Sequence, residues 1–322
     1  MKRNSKRRFG LLKLSGLVSL IIIFVMLAPK DSDMLLGSPK AVLEGTSVYA
    51  LSEKIAPESA AVFLDEELTV RNAYFCYSQP HSVIAEKDSG VRVAPASLTK
   101  IMTAIVILEN ADDLDVSVTV SPKLYDKLYR EGASMAGFLP GEKVTLRDLL
   151  YGIMLPSGAE AAAAAAEYIA GSDSALVEMM NEKALEMGLS NTHFENIYGF
   201  DAKGHYSNAA ELAQILMYAL ENERFREISS TQRYTVKPTN KHPDGFTMKS
   251  TVFSKLGGKT PDKAVIYGGK TGFTYDAGLC LATYGELDGR SYVSVVLGAP
   301  GNHRTEQKQV DDTLYLFDNF TY

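Results

Sequence analysis

Three short motifs stand in one order along the chain: Ser97-Leu98-Thr99-Lys100, then Ser157-Gly158-Ala159, then Lys270-Thr271-Gly272. Together they supply a hydroxyl nucleophile, an amine three residues on, a second hydroxyl, and a cationic strand suited to a carboxylate. Those groups can carry acyl transfer through a serine ester, with lysine rather than histidine as the base.

On a helix, Ser97 and Lys100 share one face and are close enough to touch. At a helix N-terminus the macrodipole favours developing negative charge, which helps a serine become alkoxide-like. Lys100 must be neutral to take that proton. Its reference pKa of about 10.4 must fall by roughly 3 units for work near pH 7, a cost of about 4 kcal/mol. Burial and a nearby cation can supply this, and Lys270 is the candidate cation. Lys270 and Thr271 can hold a substrate carboxylate, and Gly272 keeps the strand face open to a peptide backbone. The N–H groups of Ser97 and Phe273 can form an oxyanion hole. Ser157 offers a second hydroxyl to pass a proton to the leaving amine. Taken singly, each motif is equally an ordinary helix turn, edge strand or loop; their order gives them weight.

Rival chemistry finds little support. The five histidines (His81, His193, His205, His242, His303) show no metal-ligand spacing. His205, near Asp201, reads as a loop histidine. Ser97 has no Gly-x-Ser-x-Gly elbow, and no Gly-rich phosphate loop or zinc cysteine pattern is present. No cofactor and no metal are expected.

The elements that must position these groups follow from periodicity. Ser97 to Asn110 carries apolar residues at helical spacing and is too apolar to be exposed, so it reads as a core helix with Ser97 at its start. Thr145–Met154, Glu160–Ala170, Ser174–Met187 and Ala209–Leu220 read as further helices, and the alanines from Ala161 to Ala166 imply close helix packing. Strands are expected at Ala61–Leu64, Ala73–Tyr77 and Ser82–Glu86, then at Val265–Tyr267 leading into Lys270, at Leu279–Thr283 and at Tyr292–Leu297. Asp288-Gly289 is a hairpin turn signal, and Thr305–Phe320 closes as a helix. Strands at both ends around a helical insert describe an α+β fold with one mainly antiparallel sheet flanked by helices.

The chain has 322 residues, 46% hydrophobic and 22% charged, which is globular composition. Seven of its 33 basic residues fall in the first thirty positions, leaving 26 against 39 acidic residues in the rest, a net of −13. Such a body has no affinity for nucleic acid. The basic flank precedes an apolar run from Leu14 to Ala28, the pattern of a secretory signal or an uncleaved membrane anchor. No small-x-small cleavage site follows directly, which favours the anchor. Either way the body is expected outside the cytoplasmic membrane, anchored or secreted to the cell wall. Cys76 and Cys280 read as free buried thiols rather than a disulfide.

Beyond this chemistry, Ala94-Pro95-Ala96-Ser97-Leu98-Thr99-Lys100-Ile101-Met102-Thr103 resembles the active-site segment of the low-molecular-mass penicillin-binding proteins, the serine-type D-alanyl-D-alanine carboxypeptidases. Leu149–Gly152 running to Ser157-Gly158, Met180–Ala184, Asn191–Phe194, Gly204–Ser207, Gly269–Thr274 and Val296–Ala299 are similar as well. The resemblance implies a β-lactamase/penicillin-binding-protein-like fold over 58–322, after an N-terminal signal or anchor (1–30) and a linker (31–57), with no C-terminal β domain. It implies Ser97 as the acylated nucleophile, Lys100 as its base and Ser157 as the proton relay. Lys270, Thr271 and Arg304 would bind the terminal carboxylate. The implied reaction removes the last D-alanine from peptidoglycan stem peptides, and β-lactams acylate the same serine. One departure counts: the family's middle motif reads Ser-x-Asn, and Ala159 lacks the amide. Losing that buried hydrogen bond costs about 1–3 kcal/mol. The alternatives are a β-lactamase or ester hydrolase on the same scaffold, with Glu160 and Glu167 nearby in sequence, or a non-catalytic wall-binding protein.

Overall fold

The computed structural model describes residues 61–321 apart from 65 and 80. The expected signal or anchor (1–30) and the expected linker (31–57) lie outside the described residues. Strands β1 (Val62–Phe63), β2 (Asn72–Ser78) and β3 (His81–Lys87) come first. A 3-10 turn (Ala96–Leu98) runs directly into α1 (Thr99–Glu109). The helical insert continues with α2 (Tyr125–Arg130), α3 (Leu146–Met154), α4 (Ala159–Ala170), α5 (Asp173–Glu186), α6 (Ala209–Glu221) and α7 (Glu223–Ser230). Two small ribbons decorate it, β4 (Ser117–Thr119) with β5 (Lys143–Thr145), and β6 (Arg233–Val236) with β7 (Phe246–Lys249). Helix α8 (Thr251–Leu256) precedes three long strands, β8 (Val265–Thr274), β9 (Gly278–Leu287) and β10 (Arg290–Ala299), and α9 (Lys308–Phe320) follows them.

The main sheet has the order β1-β3-β2-β10-β9-β8, antiparallel except where β1 runs parallel to β3. Asp288 and Gly289 both take positive φ, the backbone a two-residue hairpin between β9 and β10 demands. The strands alternate between two layers. Ala73, Phe75, Leu281 and Val296 pack with Val252 of α8 and Phe317 of α9, while Tyr74, Cys76, Ala282 and Val295 pack with the helical insert. Burial on both faces explains why these strands read as near-continuous apolar runs. The alanine run of α4 is wholly buried, as expected. A Cβ added to Gly152 of α3 would lie 3.0 Å from the Ala161 Cβ, so small residues set that helix spacing. Both cysteines are free and buried.

The differences from expectation are local. Ser97 lies in the 3-10 turn rather than in the α-helix proper. The last helix begins at Lys308, because residues 302–305 form a turn closed by the Thr305 N–H on the Asn302 carbonyl. Helices α7 and α8 and the two ribbons had no strong periodic signal; six or eight residues are too few for one.

Candidate active site

The Ser97 turn is held from three sides. Ala96 has φ +48°, a left-handed conformation costly for a residue with a Cβ. The Thr99 hydroxyl donates to the Ala96 carbonyl (2.8 Å) and lies 2.9 Å from Nε2 of buried His205. His205 Nδ1 accepts the Glu195 N–H at 3.0 Å, which fixes the tautomer: Nε2 carries the proton and donates to Thr99. From the other side Gly199, at φ +86°, presses on the turn so closely that a Cβ there would fall 1.9 Å from the Ala96 oxygen. From beneath comes β8, where a Cβ on Gly272 would lie 2.8 Å from Leu98 Cδ1 and 3.1 Å from Ala96 Cβ. Gly272 therefore lets the Lys270 strand close on the serine turn.

Lys100 is 2% exposed. Its Nζ lies 3.2 Å from Ser97 Oγ and donates to the Tyr198 carbonyl at 2.7 Å. That carbonyl belongs to a turn pinned by Asn196, whose Oδ1 accepts the N–H groups of Tyr198, Gly199 and Phe200. The Tyr198 hydroxyl in turn donates to the Asp173 carboxylate. Burial draws the Lys100 pKa from 10.5 down to about 7, against the opposing pull of Glu160. An amine in that range has a lone pair for a serine proton near neutral pH.

Lys270 is fully buried, and its Nζ donates to the Thr271 carbonyl at 2.9 Å. Burial, and next the charge of Lys100, hold it well below the usual lysine range. Two ammonium groups so enclosed do not both stay charged. Thr271 exchanges a hydrogen bond of 2.7 Å with the Thr251 hydroxyl of α8.

Ser157 also has positive φ, +67°, and its buried Oγ has no hydrogen-bond partner among the described residues. Its loop is fastened by the Gly158 N–H on the Gly152 carbonyl and the Ala159 N–H on the Ser134 carbonyl, each 2.8 Å. Ala159 is buried at the start of α4. Glu160 uses Oε1 to accept the N–H groups of Ala136, Gly137 and Phe138, holding the segment that brings Ser134 to the site. Its carboxylate is thus turned to the backbone, and Glu167 is exposed toward the other end of α4.

Ser97, Ser157, Thr271, Gly272 and Phe273 line one cleft, joined by Ser134, Thr251, Lys255 and His303. The Phe273 ring meets the His303 ring edge-on, centroids 4.8 Å apart. Arg304 is exposed on the 302–305 turn and is not among the lining residues. Sequence reasoning missed Ser134, Thr251, Lys255, Asn196, Tyr198 and Gly199. The only local signal among them is Gly199 a few residues after Asn196, a turn pattern.

A serine and a buried lysine of lowered pKa within hydrogen-bond reach, a second serine, and a lysine strand at the edge of a helix-covered sheet define a serine acyl-transfer scaffold of the penicillin-binding class. A family model described as D-alanyl-D-alanine carboxypeptidase matches residues 62–301, and the chain belongs to that family. The D-alanyl-D-alanine carboxypeptidase DacF of Bacillus subtilis is 34% identical over 218 residues, 67% of this chain and 54% of that protein. A D-alanyl-D-alanine carboxypeptidase of Streptomyces sp. strain K15 is 34% identical over 220 residues, 66% of this chain and 75% of that one. The chain thus spans about half the length of the first relative and three quarters of the second. The crystal structure of the Streptomyces K15 DD-transpeptidase superposes with a TM-score of 0.71 at 28% identity, covering 79% of this chain and 97% of that one.

Proposed function

We propose that this chain is a serine-type D-alanyl-D-alanine carboxypeptidase that removes the terminal D-alanine from peptidoglycan stem peptides. The observation that carries the reading is the buried Lys100 amine, drawn down to about pKa 7 and 3.2 Å from Ser97 Oγ. Neutral Lys100 takes the Ser97 proton as Oγ attacks the carbonyl carbon of the penultimate D-alanine. The oxyanion formed is met by the N–H groups of Ser97 and Phe273. Ser157 relays the proton to the departing D-alanine nitrogen, and the C–N bond breaks to leave an ester on Ser97. Water activated by Lys100 then opens that ester and restores the serine. In this reading Thr271 lines the carboxylate side of the cleft with Lys270 buried behind it, and β-lactams acylate the same serine. The chain acts outside the cytoplasmic membrane, tethered by its N-terminal segment.

The test is release of D-alanine from diacetyl-Lys-D-Ala-D-Ala, together with mass spectrometry after penicillin treatment. Wild type should release D-alanine and gain one penicillin mass on Ser97, and Ser97→Ala should do neither. A wild-type chain as inert as Ser97→Ala on every D-Ala-D-Ala peptide overturns the reading. Rapid turnover of a chromogenic β-lactam with no D-alanine release would give a β-lactamase instead.

A further inference from the structure

Tyr275 is the most exposed large apolar side chain among the described residues, at 93%. On a loose loop a ring so open needs no explanation. This one stands on a fixed turn. Residues 275–277 join β8 to β9, with Thr274 and Gly278 paired across the base. The Thr274 hydroxyl donates to Asp201 Oδ1 at 2.6 Å and accepts the Ala277 N–H at 3.0 Å. The Arg71 guanidinium donates to the carbonyls of Asp276 (2.9 Å) and Ala277 (2.8 Å). A tyrosine has only two side-chain torsions, and here its backbone is already ordered, so a ligand that covers the ring sacrifices little entropy.

Phe273 sets the place of this ring relative to the cleft. The two rings meet edge to face, centroids 5.6 Å apart and planes at 67°, and Phe273 lines the cleft. With His303 against Phe273, three rings run in a row from the cleft wall to open water. β8 is also the outermost strand of the main sheet, so its free edge can take an extended peptide. In the proposed reaction the terminal carboxylate lies by Thr271 and the scissile carbonyl by the Phe273 N–H. Followed back from its C-terminus, the stem therefore passes Thr271, then Phe273, and leaves over Tyr275. Phe273 and Tyr275 are two residues apart, about 7 Å along a strand. Three stem residues, about 10 Å of extended chain, separate the reacting D-alanine from the lactyl ether that joins stem to glycan. The glycan end of a nearly extended stem thus comes within reach of the Tyr275 ring.

We infer that Tyr275 is a stacking platform for a pyranose ring of the glycan strand, and that the cleft takes stem peptides still attached to glycan in preference to free peptides. The apolar C–H face of a pyranose covers the ring face that Phe273 leaves open. Asp276, exposed in the same turn, adds a carboxylate that can accept from sugar hydroxyls. The inference rests on the proposed carboxypeptidase reading and deepens it: the substrate class is the glycan-linked stem, and the residue that selects it is at the β8–β9 turn, beyond the groups that do the chemistry.

Two substrates separate the sugar from the peptide: free L-Ala-γ-D-Glu-L-Lys-D-Ala-D-Ala, and the same pentapeptide on N-acetylglucosaminyl-N-acetylmuramic acid. In the wild type, kcat/KM for D-alanine release should be roughly 10-fold higher with the disaccharide, as burial of one ring face supplies. Tyr275→Ala should bring that ratio to within about 2-fold, and Tyr275→Phe should keep it. Tyr168→Ala, an exposed ring on α4, should leave the ratio unchanged. A second readout needs no turnover. The chain has no tryptophan, so Tyr275→Trp in the Ser97→Ala background carries the sole indole. Its emission should move to the blue with the disaccharide pentapeptide and stay in place with the free one. A wild-type ratio near one, a ratio that survives Tyr275→Ala, or an indole shift of equal size with both ligands overturns the inference. The last result would assign the ring to the peptide, such as the ammonium of its third residue. If neither substrate releases D-alanine with Ser97 intact, the carboxypeptidase reading has failed, and the indole still reports whether the sugar is bound.

Discussion

The Lys100 amine donates to the Tyr198 carbonyl at 2.7 Å and faces Ser97 Oγ at 3.2 Å. A neutral amine has two N–H groups and one lone pair. Fixing one N–H on a rigid carbonyl leaves the lone pair free to turn to the serine. The Asn196 turn beneath Tyr198 therefore aims the base.

Because burial brings Lys100 to about 7, acylation of Ser97 by penicillin should rise with pH along a single ionisation near 7 and level off by pH 9. Stopped-flow acylation rates between pH 5 and 9 test this. A flat profile would exclude a titrating lysine base.

Glu160 acts on the same titration. Its negative charge raises the Lys100 pKa, so Glu160→Gln should move the acylation profile to lower pH, by a fraction of a unit. The amide oxygen can still accept the three backbone N–H groups that Oε1 now holds. A profile that stays in place or moves to higher pH contradicts this coupling.

Stability carries the same signature. Lys100 binds its proton less tightly folded (about 7) than unfolded (10.5), so the unfolded chain holds more protons between those values. Stability must then rise with pH across that window, by roughly 2 kcal/mol between pH 7 and 9 from Lys100 alone, with Lys270 adding in the same direction. Urea unfolding at the two pH values should show the rise, and Lys100→Met should remove much of it. The same variant should lose acylation.

The parts of the site that were legible in sequence are those fixed by local geometry. Ser97 and Lys100 meet because three residues along a helix is one face, and β8 to β10 are recognisable from apolar runs and the Asp288-Gly289 turn. The rest depends on distant segments. Tyr198 is 98 residues from Lys100 and His205 is 106 from Thr99, and no periodicity relates them. His205 read as a loop histidine, yet it is 4% exposed and supports the nucleophile's turn. Lys255 escaped notice because α8 has six residues and its partner, the His303 turn, lies 48 positions away. The N-terminal anchor stays an expectation of charge and hydropathy: among the described residues no helix is long and apolar enough to cross a membrane, and residues 1–30 are outside them.

Gly199 tests the long-range support directly. Gly199→Ala would put a methyl group 1.9 Å from the Ala96 oxygen at a φ of +86°, and backbone cannot yield as a flexible side chain does. A loss of at least about 2 kcal/mol of stability is expected, or a displaced Ser97 turn. Thermal melts and penicillin acylation together read both outcomes. An alanine variant with wild-type melting and acylation would show that the turn is not clamped there.

Acid should weaken the clamp at His205. Its Nδ1 accepts the Glu195 N–H, so a proton arriving there would set two donors against each other. Burial accordingly lowers its pKa from 6.5 to about 4. The unfolded chain takes up this proton first, so the stability His205 contributes is complete above pH 6.5 and is lost as pH falls through about 4. The full loss is about 3 kcal/mol. Urea unfolding at pH 7 and pH 4.5 should show most of it in the wild type. His205→Gln replaces the titrating ring with an amide that has a donor and an acceptor, so this variant should begin less stable at pH 7 and lose less on acidification. If both proteins lose the same stability between the two pH values, acid sensitivity arises elsewhere, and the chain from His205 through Thr99 to the Ala96 carbonyl is not where the fold gives way.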